Sequence, residues 1–196
     1  METFVRAVDG INTWIGKFFA WLIVVLTFAI CYEVVARYAF KAPTNWAYDV
    51  SLMCYGTLFM MAGGYTLARN GHVRGDFIYR VWAPAKQAKV DLVLYVLFYF
   101  PGILALVYAG WTHFHMSWLF NERSAFSPDG PIIWPFKAVI PIVGVMMTLQ
   151  GIGEVFRCLQ CIKTGTWPQR LHDVEELEKV ILEQAAQGQQ ANEGAR

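Results

Sequence analysis

Residues 18–38 read FFAWLIVVLTFAICYEVVARY, and their only charges, Glu33 and Arg37, fall near the far end. A helix of about 20 mostly apolar residues crosses the roughly 30 Å of hydrocarbon in a bilayer. This stretch is long enough and apolar enough to do so. It leads into a charged helix end and offers no small-residue cleavage site, so it is expected to stay in place as an anchor.

Three further stretches repeat the pattern. Residues 46–68 form the second expected span, with Asp49 near its start. The third, 92–111, lies in a segment free of Asp, Glu, Lys and Arg between Asp91 and Glu122. The fourth, 132–153, contains Lys137, and Pro135 and Pro141 interrupt its hydrogen-bond ladder. Lys137 is close enough to the interface to snorkel. Over the whole chain, hydrophobic residues make up 56% and charged residues 16%, against about a quarter charged in a soluble domain. Ionised side chains cost a few kcal/mol in the bilayer core, which accounts for their segregation. The expected architecture is an all-α integral membrane protein with four transmembrane helices and a membrane domain over 18–168. A net charge of +1 excludes strong bulk attraction to nucleic acid. The four cysteines suggest no disulfide framework.

Lys and Arg placement sets the expected orientation. Arg6 and Lys17 precede the first span, Arg69, Arg74, Arg80, Lys86 and Lys89 follow the second, and Arg157, Lys163, Arg170, Lys179 and Arg196 follow the fourth. Arg37, Lys41, Arg123 and Lys137 belong to the other side, so twelve stand against four. Both termini and the middle loop are therefore expected in the cytoplasm. Trp46, Tyr48, Trp118 and Trp134 mark the outer interface, and Trp14, Trp82 and Trp167 the inner one.

Non-spanning segments also carry helical stripes. In 1–17 and just beyond, Val5, Val8, Ile11, Ile15 and Phe18 alternate with Arg6, Asp9, Thr13 and Lys17, which predicts an amphipathic helix along the inner interface. Gly10 or Gly16 offers the bend before the first span. Val73, Phe77, Ile78, Val81 and Trp82 make a shorter stripe ended by Pro84. In the tail, 169–196, Leu171 to Ala186 is expected to be helical, with Val174, Leu177 and Ile181 on one face, and the polar remainder to be disordered.

Glu33 and Arg37 are four apart with the acid first, so they face one side of the helix and can pair. An ionisable residue inside a span is a functional candidate by default, and the plain reading is an ion pair near the outer interface. The run Arg69 to Asp76, with His72, Arg74 and two glycines, reads as a cytoplasmic helix stop that contacts lipid headgroups or a partner's acidic loop. His113 and His115 are two apart and point away from each other on a helix, which argues against a shared metal. No histidine sits deep in a span, so haem ligation across helices is not expected. Cys158 and Cys161 form an isolated C-x-x-C. No Ser-His-Asp set, phosphate loop or metal motif is present, and no catalytic, metal, substrate or cofactor site is expected.

The segment Tyr32 to Phe40, followed by Pro43 and Asn45 to Asp49, resembles the small membrane subunit (DctQ type) of tripartite ATP-independent periplasmic (TRAP) transporters. So do the run Gly63 to Asp76, the loop Asn121 to Ser124, and Pro131 to Pro135 with Lys137, Ile140, Pro141 and Gln150. The glycine-His-x-Arg-x-Asp stretch after the second span is its most specific part. Asp49 departs from the pattern, standing where the family usually has Glu. The resemblance covers about residues 14–157. It implies a non-catalytic scaffold in the bacterial inner membrane, beside a large (M-type) membrane subunit that holds the sodium and substrate sites. It also implies a periplasmic binding protein that delivers an organic acid, with membrane phospholipids as the remaining partner. By resemblance, Glu33, Arg37, Trp46 and Asp49 form an outer cluster and Arg69, His72, Arg74 and Asp76 an inner one, with Glu122 and Lys137 as further structural or partner contacts.

Two other classes compete. A self-sufficient four-helix antiporter would use Glu33 as its proton carrier. A membrane anchor of an oxidoreductase would need histidines within its spans.

Overall fold

A computed structural model describes residues 2–71, 79, 81–127 and 130–168. Five long helical elements lie wholly within the described residues. Helix α1 covers Glu2–Ala20, and α2 covers Leu22–Tyr38. Trp21 between them keeps helical angles, so the helical path continues from one to the other. Helix α3 is Ala47–Ala68, α4 is Pro84–Leu119 and α5 is Trp134–Thr164. Four segments, Thr3–Tyr38, Ala47–Ala68, Pro84–Leu119 and Trp134–Thr164, are long and apolar enough to cross a membrane. The chain is a multi-pass membrane protein.

The helices pack in the order α2, α3, α5, α4, and α1 lies across α3 and α5. Loops 39–46 and 120–133 share one end of this bundle, called the Trp46 end. Residues 165–168 meet the start of α4 at the other, where the Trp167 indole donates to Gln87 Oε1 at 3.0 Å.

Small residues let α4 and α5 approach closely. A Cβ on Gly144 would meet Val107, and one on Gly151 would meet the Tyr99 ring. Tyr99 lies in a π-helical turn, Tyr95–Tyr99, just before Pro101, and its hydroxyl donates to the Met147 carbonyl at 2.8 Å. Such turns widen a helix where its ladder is interrupted. Pro141 lies buried inside α5 without ending it, and Gly110, which has no side chain, leaves room on α4 for Ile140 and the Pro141 backbone.

The helices outrun the spans drawn from hydrophobicity alone. Pro84 fits the first turn of α4, where its missing N–H costs nothing, and the charged stretch behind it stays helical. Helix α5 runs to Gly165, which takes a left-handed φ of 75°. The turn after α3 is made by Asn70, with φ 55°, rather than by the neighbouring Gly71. Asn tolerates that conformation because its short side chain bonds locally.

The largest difference concerns α1. The expected stripe is split between two faces: Val8 is buried, while Ile11 and Phe18 are exposed. The face turned into the bundle also carries Asp9 and Asn12, at 4% and 2% exposure. The apolar residues Phe4, Ile11, Trp14, Phe18 and Trp21 line the outward side. A helix that presents polar groups inward needs partners for them, and α5 supplies these.

Candidate functional site

At the Trp46 end, Glu33 joins two segments. Its Oε1 accepts from Arg37 Nε at 2.8 Å and also from Nη2. Its Oε2 accepts from the Thr44 backbone N–H at 3.0 Å and from the Thr44 hydroxyl. Glu33 therefore pins the loop that follows α2. Beside it, Trp46 stacks on Tyr32 with centroids 5.9 Å apart. Glu33, Arg37 and Trp46 thus share one patch.

Asp49 faces a different task. It is 1% exposed and accepts from the hydroxyls of Ser124 and Ser127, the latter at 2.6 Å. It also sits in the first turn of α3, where a carboxylate favours the helix dipole. Asp49 thereby ties α3 to the 120–133 loop rather than to α2. Lys137 pairs with Glu122 at 2.5 Å across the same loop. The loop is closed by backbone bonds from Ser124 N to Pro131 O at 2.9 Å and from Ile133 N to Glu122 O at 3.0 Å. The Lys137 ammonium holds the Glu122 carboxyl below the usual carboxylate range.

At the opposite end, Arg69 lies over the Tyr65 ring, 4.7 Å from its centroid. His72, Arg74 and Asp76 lie outside the described residues.

A third cluster was not singled out in the sequence. Arg157 bridges two carboxylates, Asp9 of α1 and Glu154 of its own helix. Gln150 Nε2 donates to Asp9 Oδ1 at 2.8 Å, and Asn12 Nδ2 donates to Gln150 Oε1 at 2.7 Å. All five residues are 5% exposed or less. The signal for it was present: Gln150, Glu154 and Arg157 recur at helical spacing on one face. Taken one at a time, Arg157 looks like a charge at a helix end and Asp9 like a polar spacer in an amphipathic stripe. Only the long-range packing of α1 on α5 brings them together. The guanidinium occupies the place a cation would take, and among the described residues no group of His, Cys, Asp and Glu is set to hold a metal. Cys158 and Cys161 are buried thiols beside Ala88, not joined in a disulfide.

The geometry is thus a membrane bundle whose polar residues join its own helices and loops. The family of tripartite ATP-independent periplasmic transporters, DctQ component, matches residues 26–161. The chain belongs to that family. It is a family of transporter components and not of enzymes. A comparison with individual curated proteins finds no match. The matched region runs from within α2 nearly to the end of α5, so it contains the Trp46-end clusters and leaves α1 outside.

Proposed function

We propose that this DctQ-family chain is the non-catalytic scaffold subunit of a TRAP transporter in the bacterial inner membrane. The Trp46 end faces the periplasm and both termini face the cytoplasm, as the distribution of Lys and Arg favours. The chain packs beside a large membrane subunit that performs sodium-driven uptake of an organic acid delivered by a periplasmic binding protein. The family match over 26–161 carries this reading.

The contacts of the carboxylates support it. Glu33 and Asp49 each have both oxygens engaged by donors of this same chain. That suits a static support and not a carrier that must release a proton in each cycle. Glu33, Arg37, Trp46, Asp49, Glu122 and Lys137 would shape the periplasmic face. Arg69, His72, Arg74 and Asp76 would act at the cytoplasmic one.

Two measurements test the proposal. Glu33→Ala is expected to lower the yield of the assembled complex more than it changes the affinity of the periplasmic protein for substrate, and a normal yield would sink the structural role of Glu33. In liposomes the chain alone is expected to transport nothing. Uptake that vanishes in a well-expressed Glu33→Gln variant would establish the antiporter reading instead.

A further inference from the structure

Between α2 and α3 runs a groove of about 440 Å³, lined by residues that include Leu26, Ile30, Glu33, Arg37, Ser51 and Tyr55. Its wall on α2 extends from Leu26 to Arg37, a length of about 16 Å at 1.5 Å per residue. Most of the lining is apolar. The charges lie at one mouth, at the Trp46 end, among Tyr32, Trp46 and Tyr48, the aromatic residues that favour a membrane interface. Arg37 is held there by Glu33 through Nε and Nη2, while its Nη1 has no protein partner among the described residues and the side chain is 53% exposed.

We propose that this groove is a phospholipid site, with one acyl chain lying along Leu26, Ile30 and Tyr55 and the lipid phosphate on Arg37. Two arguments select this occupant. A concavity facing hydrocarbon cannot stay empty, because its lining would forfeit dispersion contacts. A chain in the groove gains little hydrophobic free energy over a chain in bulk lipid, so selectivity must come from the mouth. There a guanidinium fixed by Glu33 presents a free donor at headgroup level, and Arg suits phosphate because its donors are rigidly arranged. A protein helix laid over the groove would cover the half-exposed guanidinium and would have to bring an acceptor of its own. A phosphodiester supplies the acceptor and leaves Arg37 at the water boundary. The site belongs to this chain alone and does not depend on the scaffold reading.

The test is native mass spectrometry of the full chain in a mild detergent, with palmitoyl-oleoyl phosphatidylglycerol added. The wild type is expected to keep one phospholipid under activation that strips the rest. Arg37→Gln, which removes the donor, should reduce retention about tenfold, the worth of one charged hydrogen bond. Ser51→Phe, which blocks the groove so that a seated chain can no longer place its phosphate on Arg37, should reduce it too. Ser51→Ala should retain it. Circular dichroism of each variant reports whether the helices remain intact. A second measurement uses the wild type only: a phospholipid with a diazirine in its acyl chain should label Leu26, Ile30 and Tyr55 above the outward face of α4. No lipid on the wild type, retention equal to wild type in a folded Arg37→Gln or Ser51→Phe, or labelling spread evenly over α2, α3 and α4 would each overturn the proposal.

Discussion

The two halves of this bundle handle charge in opposite ways. At the Trp46 end, Glu33 and Arg37 are four residues apart, and the guanidinium is 53% exposed. In the other half, Asp9 and Arg157 are 148 residues apart, and both side chains are 6% exposed. The first arrangement is a local pair that trims a helix end and fixes a loop. The second is a long-range joint that determines where α1 sits. An exposed pair contributes little, because water and salt screen it. Breaking a buried pair by removing one partner costs about 3–5 kcal/mol, because a charge is left without compensation. Depth, rather than the number of charges, separates anchoring from trimming here.

The comparison can be broken most directly at Arg157. Arg157→Met is expected to destabilise the protein by about 3–5 kcal/mol, read as a lower unfolding midpoint in detergent and as faster proteolysis of α1. Replacing Asp9, Glu154 and Arg157 together by apolar residues should recover most of that loss, since no buried charge remains. A triple variant as unstable as Arg157→Met would show that the network does more than compensate its own charges.

Asp49 stands between the two extremes, buried yet bonded only to neutral hydroxyls. Asp49→Ala removes the acceptor of Ser124 and Ser127 and is expected to cost about 1–3 kcal/mol. The checks are the thermal midpoint and the protease sensitivity of the 120–133 loop. Arg37→Gln should lower the midpoint less than Asp49→Ala does, and a loss as large as that of Arg157→Met would place that pair in the same class as Arg157.

The smallest effect is expected at Glu122. Lys137 lowers its folded pKa, so the pair stabilises fully above the unfolded carboxylate value of about 4.3. That contribution is lost as pH falls through the lower folded value. The Glu122 side chain is 42% exposed, so wild type and Glu122→Gln should differ by less than about 1 kcal/mol at pH 7. The gap should close in acid, which a pH series of thermal midpoints will show.

Much of the fold was legible in the sequence for a simple reason. The hydrocarbon excludes charge, so four long runs nearly free of Asp, Glu, Lys and Arg stand out without any pattern analysis. Their ends were less legible. Charges at 86–91 and 154–163 look like loop, yet both stretches continue helices that project beyond the apolar zone or pair their charges internally. The Glu33–Arg37 pair was readable because both members lie on one helix face. The partners of Asp49 were not, since Ser124 and Ser127 lie 75 and 78 residues away. Helix α1 misled for the same reason. Its periodicity revealed an amphipathic helix, but periodicity alone does not say which face turns inward. Asp9 and Asn12 are buried only because Gln150 and Arg157 await them.

The role proposed for this chain is support of another membrane subunit. A gentle-detergent pull-down of the tagged chain from native membranes, with mass spectrometry of what accompanies it, tests that claim directly. Stoichiometric recovery of a large polytopic membrane protein is the predicted result. Recovery of the chain alone, folded and able to transport substrate in liposomes, would contradict it.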